Sequence, residues 1–552
     1  MRRGMKTALI AIAASLLSTA AAADTLIDHI NGIQVDESGQ LEHFTGLLVG
    51  DDGKVIRVLR AGETTPRAAT VIDEHGRTLM PGFIDSHGHV TDLGFAALHL
   101  NLTGTSSLAD LQQRLRAYAA AHPNDQWLIG FGWNQELWPD KAFPTAADLD
   151  AIVPDRPVVL ERVDGHAVVA NSAAMKIAGV TPGMPTPSGG RIENGLFVDN
   201  ARMLIDRAEP VATPEQVDLA LNEAQHILLG YGVTGVASMS TSAADWRAFR
   251  RAADGGSLNV RLMAYILASG EMPLDRPTGW LDQDHLRAVG VKIFADGALG
   301  SRGAWLKQPY SDMPTTRGLQ FHPDEELRSL ADAAASRGFQ VATHAIGDAA
   351  NAQVISTYEW LDSKYGLDRR WRIEHAQIVD CADLPRIARG HIIASMQPTH
   401  QTSDRLMAEK RLDPARLKCA YAWHSMLASG ARLAFGTDFP VESPNPFPGL
   451  SAAISRQDIN GQPPGGWFPN ERVTFGQALQ AYTRGGAYAA FAEDKIGSLD
   501  TGKWADFVIV DQDPSTVDPR QLARTRVLET WVGGRKVWSA APTAAATPER
   551  GQ

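Results

Sequence analysis

The chain has 552 residues, a formal net charge of −11, 44% hydrophobic and 21% charged residues, and two cysteines. This length corresponds to two to four domains or to one large barrel with additions, and the composition excludes a disordered chain and a disulfide-stapled scaffold. The negative charge argues against a nucleic-acid partner, because an acidic surface repels phosphate.

The first 23 residues are predicted to be a signal peptide. Arg2, Arg3 and Lys6 give a positive start, a short apolar run follows at 7–17, and small residues end the segment. The apolar run is shorter than the roughly 20 residues that span a bilayer. We therefore expect a periplasmic or secreted protein with no stable membrane anchor after cleavage; an uncleaved anchor is the alternative.

Both ends of the mature chain are predicted to be β-rich. Residues 24–80 contain short strand-like runs separated by turns, and similar runs return in residues 495–540. We expect these two segments to pack together as one small composite β-sandwich domain. The last segment, 541–552, is rich in Ala, Thr and Pro and is expected to be disordered.

Between these ends, short apolar runs alternate with helical segments, which is typical of a parallel sheet built from βα units. Eight runs predict an α/β fold with a (β/α)8 barrel, similar to a TIM barrel, over residues 81–494. The runs lie at residues 82–85, 233–238, 260–266, 290–294, 340–343, 371–374, 392–396 and 433–437. A segment at about 95–222 interrupts the series and is expected to be an insertion, with its own strand-like run at 157–162.

Residues able to bind a metal follow several of these runs, at the strand ends where barrel enzymes place catalytic groups. They are His87 and His89 after the first run, Lys292 within the fourth, and His344, His375 and Asp438 after the fifth, sixth and eighth. Each residue alone has a structural explanation, such as a hydrogen-bonded histidine, a lysine in an ion pair or an aspartate that caps a turn. In an extended segment, residues i and i+2 face the same way, so the HxH pair can meet one cation. Together these residues predict one metal site.

The motifs resemble those of the amidohydrolase superfamily, and within it the amidohydrolase-3 or YtcJ-like metal-dependent hydrolases. The resemblance extends over nearly the whole mature chain. Its motifs are residues 80–89 (MPGFIDSHGH), 291–302 (VKIFADGALGSR), 343–348 (THAIGD), 372–377 (RIEHAQ), 435–438 (FGTD) and the closing segment 497–506. The resemblance implies a barrel combined with a β-sandwich that is split between the chain ends.

The resemblance also implies a centre with two divalent cations, for which zinc is preferred from the ligand types although another metal would fit. The implied ligands are His87, His89 and Asp438 for the first cation, and His344 and His375 for the second. Lys292 would bridge both cations after reacting with carbon dioxide to form a carbamate, which requires the neutral amine that burial favours. If Lys292 stays an ammonium, a single cation is expected, because a positive group beside two cations is costly.

The implied activity is hydrolysis of a non-peptide, amide-type C–N bond in a small molecule. A metal-activated hydroxide would attack the carbonyl, and Asp438 would carry the proton to the leaving amine. His166, in a DGH motif of the insertion, and Arg302 are candidate substrate-binding residues, each with a structural role as its alternative.

Two other functions stay open. One is a mononuclear deaminase of the same superfamily, which metal stoichiometry and the state of Lys292 would distinguish. The other is a catalytically silent secreted barrel that binds a ligand. The substrate and the oligomeric state, including a homo-oligomer, are left open, as is whether Cys381 and Cys419 form a disulfide or are two buried thiols.

Overall fold

The computed structural model describes residues 24–181, 183–187, 189–268 and 271–541. The predicted signal peptide lies outside the described residues, as does the predicted tail from residue 542 onward. Within these ranges the strands form three sheets, one from the two chain ends, one in the insertion and one in the barrel. No helix in the described part of the chain is both long and apolar enough to cross a membrane.

The first sheet begins with five strands that precede the barrel. They are β1 (Thr25–Val35), β2 (Leu41–Val49), β3 (Val55–Leu59), β4 (Thr70–Asp73) and β5 (Thr78–Pro81). β1 pairs antiparallel with β2 and parallel with both β4 and β5, and β2 pairs antiparallel with β3. Only Gly82 separates β5 from the first barrel strand, so this sheet fixes where the barrel begins.

The first barrel strand, β6 (Phe83–Gly88), is followed by the insertion. The insertion contains β7 (Leu100–Asn101), β8 (Leu128–Trp133), β9 (Val158–Arg162), β10 (Ala167–Ala170), β11 (Gly190–Glu193) and β12 (Leu196–Asp199). These strands form a separate sheet in the order β11-β12-β10-β9-β8-β7, with apolar cores of its own. The run at 157–162 is therefore a strand of this sheet rather than a ninth barrel strand.

The other seven barrel strands follow the insertion. They are β13 (Val233–Thr241), β14 (Arg261–Leu267), β15 (Leu286–Phe294), β16 (Gln340–Ala345), β17 (Arg372–His375), β18 (Ile393–Met396) and β19 (Arg432–Phe435). Neighbouring strands pair in parallel from β6 through β19, and a parallel bridge between Gly88 and Phe439 brings the two edges together. Each of the eight predicted runs overlaps one of these strands, which confirms the barrel.

The chain returns to the first sheet with its last three strands. They are β20 (Phe507–Val510), β21 (Val527–Val532) and β22 (Arg535–Ser539). β20 pairs antiparallel with β5, so both chain ends belong to one continuous sheet of eight strands. Arg261 at the start of β14 donates to both carboxylate oxygens of Asp506, at 2.7 and 2.9 Å. This buried ion pair joins the barrel to the sheet.

Seventeen α-helices connect the strands in the described ranges. They are α1 (Val90–Leu98), α2 (Leu108–Ala121), α3 (Ala146–Asp150), α4 (Ser172–Ile177), α5 (Met203–Asp206), α6 (Pro214–Gly230), α7 (Ala243–Asp254), α8 (Asp324–Ala335), α9 (Asp348–Tyr365), α10 (Leu384–Arg389), α11 (Pro398–Arg411), α12 (Pro414–Leu417), α13 (Trp423–Ala428), α14 (Pro446–Ser455), α15 (Phe475–Tyr482), α16 (Arg484–Ala489) and α17 (Pro519–Leu522). Local sequence sets several of their starts: α6 follows a capping box between Thr213 and Gln216, and α7 one between Ser242 and Asp245.

Cys381 and Cys419 form a disulfide, with their Cα atoms 5.5 Å apart. The bond joins the segment after β17 to the segment before α13. In the same region the backbone N–H of Tyr421 donates to the carbonyl of Gln377 at 2.7 Å. The loop that leaves the barrel after β17 is therefore held both covalently and by a hydrogen bond.

Candidate metal centre

The predicted metal-binding side chains meet at the carboxyl ends of the barrel strands, around the carboxylate of Asp438. Its Oδ1 atom lies 3.2 Å from Nε2 of His89 and 3.4 Å from Nε2 of His87. The backbone N–H of Asp438 donates to the His87 carbonyl at 2.7 Å, and Asp438 adopts a positive φ of 60°. The carboxylate of Asp438, which follows the last barrel strand, therefore lies directly against His87 and His89 at the end of the first strand.

The glycine between the two histidines is required by the closure of the barrel. A Cβ atom at Gly88 would lie 2.3 Å from the ring of Phe439, well inside van der Waals contact. Only glycine allows this close approach, which brings the segment after β19 against the end of β6.

His344 and His375 lie on the other side of the cluster. Their ring centroids are 4.6 Å apart, and the ring of His375 is also 4.6 Å from that of His87. Among the residues that the structure describes, two groups have ligand atoms close enough together to hold a cation. They are His87, His89 and Asp438, and His375, His400 and Asp438. All the imidazoles named as ligands from the sequence are therefore in one place.

Lys292 projects into the same space from β15. Its side chain is fully buried, and Nζ lies 3.2 Å from Nε2 of His87. Burial lowers the pKa of Lys292 to about 8, although the charges of Glu374 and Asp438 oppose the shift. A neutral amine is therefore accessible near neutral pH, which is the form that carbamate formation requires.

Polar groups outside the cluster hold three of the imidazoles by their second ring nitrogen. His87 Nδ1 lies 2.6 Å from Glu374 Oε2, His375 Nδ1 lies 2.9 Å from Gln397 Oε1, and His344 Nε2 lies 3.5 Å from both the Gly297 carbonyl and Asp296 Oδ1. The Glu374 and Gln397 oxygens accept from Nδ1 of His87 and His375, so these two rings keep the lone pair on Nε2 for a cation.

Glu374 is itself fixed by a buried ion pair. Arg372 donates to its two carboxylate oxygens at 2.8 and 3.1 Å, and a further N–H of Arg372 donates to the Ser86 carbonyl at 2.6 Å. Burial alone would raise the pKa of Glu374, but the Arg372 guanidinium and His87 lower it well below its usual range. The Glu374 carboxylate therefore stays ionised where it contacts Nδ1 of His87.

The charge states at the centre also suit a cation. Burial lowers the pKa of His87 to about 4, with the charge of Lys292 adding to the effect, and it lowers the pKa of His344 and His375 well below the usual value. Burial would raise the pKa of Asp438, but His87 and its neighbours hold that pKa well below the usual range. Neutral imidazoles beside an ionised carboxylate are the donor set that zinc prefers, so these residues fit a divalent cation.

These pKa values predict a pH dependence of the metal-free protein. The unfolded chain binds more protons than the folded chain between the lowered pKa of His87 and its ordinary value of 6.5. The free energy of unfolding should therefore fall as the pH is lowered from about 6.5 to about 4, by on the order of 3 kcal/mol for His87.

Urea unfolding of the metal-free protein at several pH values measures this effect. The His87→Asn variant serves as the control, because other groups titrate in the same interval. We expect a shallower loss of stability on acidification in the variant. Equal pH dependence in both proteins would contradict a buried neutral His87.

The insertion reaches the cluster through His166. Its Nδ1 atom lies 2.8 Å from Asp199 Oδ1, and its ring centroid is 6.1 Å from that of His344. Burial lowers the pKa of His166, but Asp199 and Asp164 outweigh it, so the net shift is upward. Arg302 instead pairs with Asp312 at 2.7 Å, and none of its described contacts is with the cluster.

A further histidine, His400, lies beside the cluster in the first turn of α11 and was not among the residues predicted from the sequence. Its Nε2 atom is 3.7 Å from Asp438 Oδ2, and its ring stacks against His375 with centroids 6.0 Å apart. A signal was present, because His400 follows the seventh predicted run by four residues, at the carboxyl end of a barrel strand.

The chain is similar to several known proteins over most of its length. A sequence model described as "Amidohydrolase family" matches residues 70–538. The chain is 35% identical over 484 residues to the putative amidohydrolase YtcJ of Bacillus subtilis, covering 85% of this chain and 90% of that protein. It is 27% identical over 494 residues to the N-substituted formamide deformylase of Arthrobacter pascens, covering 84% and 89%. An uncharacterized metal-dependent hydrolase from Pyrococcus horikoshii has a TM-score of 0.72 and 29% identity, covering 90% of this chain and 99% of that chain.

Proposed function

This chain belongs to the amidohydrolase family of metal-dependent hydrolases, and from that premise we propose that it cleaves an amide-type, non-peptide C–N bond in a small molecule. The observation that carries the proposal is one buried cluster at the carboxyl ends of the barrel strands. In it His87 and His89 contact Asp438, the ring of His375 lies beside those of His87 and His344, and Lys292 reaches His87. The Arthrobacter relative is named for N-substituted formamides, so this class is the first substrate to test.

The resemblance to the family divides the candidate ligands into two sets. His87, His89 and Asp438 would hold one zinc ion, His344 and His375 would hold a second, and Lys292 would supply a further oxygen ligand as a carbamate. The lowered pKa of Lys292 and its position 3.2 Å from His87 Nε2 support this role. When bound, the cations supply Lewis acidity that polarises a carbonyl and makes water a better nucleophile near neutral pH.

Asp438 carries the proton in this proposal. Its carboxylate is ionised, so it accepts the proton that water loses as the carbon–oxygen bond forms. It then gives this proton to the nitrogen as the C–N bond breaks, which releases an amine and a carboxylic acid, and the acid loses its remaining proton to solvent. The Oδ2 atom, 4.0 Å from His375 Nδ1 and 3.7 Å from His400 Nε2, is the oxygen that faces away from the HxH pair.

We also propose that His166 contacts the substrate. Its position beside His344 and its link to Asp199 place a hydrogen-bond donor where the insertion meets the barrel. We do not extend this role to Arg302, because its guanidinium is occupied by the ion pair with Asp312.

The proposed function is tested with zinc-loaded protein and a panel of N-substituted formamides, N-acyl amines and aminated heterocycles. We expect release of formate and amine from the formamides, and none from metal-free protein. Release of ammonia from a ring would favour the deaminase instead. Binding of a panel member without turnover of any would favour the silent barrel.

Export to the periplasm or the exterior remains part of the proposal. The disulfide between Cys381 and Cys419 supports it, because such bonds persist in oxidising compartments. Expression of the full chain in a bacterial host, followed by mass spectrometry of the periplasmic fraction, tests both export and cleavage before Asp24.

A further inference from the structure

His400 presents a buried nitrogen that the ligand assignment does not use. Its side chain is only 8% exposed, and its Nε2 atom has no hydrogen-bond partner among the described residues. A buried polar atom without a partner destabilises the folded protein, because it has lost its hydrogen bond to water. Such a cost is tolerated where a bound molecule completes the hydrogen bond.

Two glutamines set the histidines at this point of the site in opposite tautomers. The amide nitrogen of Gln377 donates to His400 Nδ1 at 3.0 Å, so His400 carries its proton on Nε2. The amide oxygen of Gln397 accepts from His375 Nδ1 at 2.9 Å, so His375 keeps a lone pair on Nε2. The two rings stack 6.0 Å apart with an interplanar angle of 19°. One histidine is therefore prepared to bind a cation, and its neighbour is prepared to donate a hydrogen bond.

The position of the His400 Nε2–H group indicates which atom of a bound molecule would accept its hydrogen bond. His400 Nε2 lies 3.7 Å from Asp438 Oδ2, which is too far for a direct hydrogen bond. Donor and carboxylate thus flank the same space, on the side of Asp438 that faces away from His87 and His89. An oxygen bound there would receive the N–H of His400, and a nitrogen beside it would receive the proton of Asp438.

We propose that His400 is a catalytic residue that donates a hydrogen bond from Nε2 to the carbonyl oxygen of the substrate, rather than a metal ligand. This role rests on the proposed function. As the carbonyl carbon becomes tetrahedral, negative charge develops on that oxygen and the hydrogen bond strengthens. The recognised chemical class is therefore a carbonyl compound with an adjacent leaving nitrogen.

The test compares His400→Leu, which lacks a donor, with His400→Gln, which restores an amide N–H. With N-butylformamide and zinc-loaded protein, His400→Leu should lower kcat by about 100- to 1,000-fold, with little change in KM. His400→Gln should recover a large part of this loss. His226→Leu, which removes an exposed histidine on α6, is the control and should leave kcat unchanged.

Metal binding is measured in the same variants. Zinc content and the visible spectrum of the cobalt-substituted protein should be the same in His400→Gln, His400→Leu and wild type. A loss of zinc or a shifted cobalt spectrum in either variant would make His400 a ligand and overturn the proposal. Wild-type kcat in His400→Leu would overturn it as well. If His400→Leu fails to fold, His400→Met, which also lacks a donor, takes its place in the comparison with His400→Gln.

A substrate-independent readout separates the two proposals. Acetohydroxamate offers a carbonyl oxygen, and its affinity for zinc-loaded protein is measurable by calorimetry. His400→Leu should weaken this affinity about tenfold. One outcome is that wild-type protein hydrolyses no member of the panel while His400→Leu still binds acetohydroxamate more weakly than wild type does. In that case the proposed reaction class is wrong, and the contact of His400 with a carbonyl oxygen stands. Equal affinity in both proteins would overturn the contact.

Discussion

Replacement of Asp438 by Asn is expected to lower kcat by about 10³- to 10⁴-fold, the upper range for loss of a positioned acid–base group. The amide is nearly the same size as the carboxylate and keeps one oxygen toward His87 and His89. It cannot take up the proton from water or return it to the leaving nitrogen. We therefore expect most of the zinc to remain bound while turnover of N-butylformamide is lost.

Metal analysis and steady-state kinetics on the same preparation provide this measurement. Asp332→Asn is a suitable control, because Asp332 lies on α8 in an ion pair with Lys364 at the surface. Retained turnover in Asp438→Asn would remove the proton-carrying role. Loss of zinc in parallel with loss of turnover would show that Asp438 acts mainly as a ligand.

Lys292→Met is expected to lose one of the two zinc ions and to lower kcat by about 10³-fold or more, since a bound cation contributes several kcal/mol to the transition state. Methionine fills the buried volume of the lysine chain but has no amine to carboxylate. In wild type, zinc uptake should depend on bicarbonate, because the carbamate must form before both cations are bridged. The variant should show no such dependence.

Reconstitution of metal-free protein in buffer with and without bicarbonate, followed by metal analysis, measures both effects. Lys364→Met, at the protein surface, serves as the control. Unchanged zinc stoichiometry in Lys292→Met, or wild-type zinc uptake that ignores bicarbonate, would contradict a carboxylated Lys292. Full activity with a single zinc ion would favour a mononuclear centre.

Much of the candidate site was predictable because the side chains that meet there follow a local rule. His87, His344 and His375 each stand at the end of a short apolar run, and a parallel barrel gathers such ends at one face. His400 obeys the same rule, because it follows the run at 392–396 by four residues, but it was not among the predicted ligands. Arg302, in contrast, was predicted to bind substrate, but its guanidinium is paired with Asp312. The residues next to Arg302 in the sequence did not indicate this ion pair.

The insertion shows a second limit of local patterns. One strand-like run, at 157–162, was recognised in it, whereas the structure has six strands there. β7 has only two residues, and β10, β11 and β12 have four each. Strands this short hold too few residues to establish a period, so their pairing partners, rather than their own sequence, define them.

By itself, the amino-acid sequence determined the barrel, the shared sheet of the two chain ends and the identity of the side chains that follow the barrel strands. These features depend on hydrophobic periodicity and on residue type, both of which are local. Tertiary structure alone decided the orientation and charge of each imidazole. The partner of His87 is Glu374, 287 positions away, and that of His400 is Gln377, 23 positions away. Which nitrogen carries a proton is set by such contacts, and no pattern along the chain encodes them.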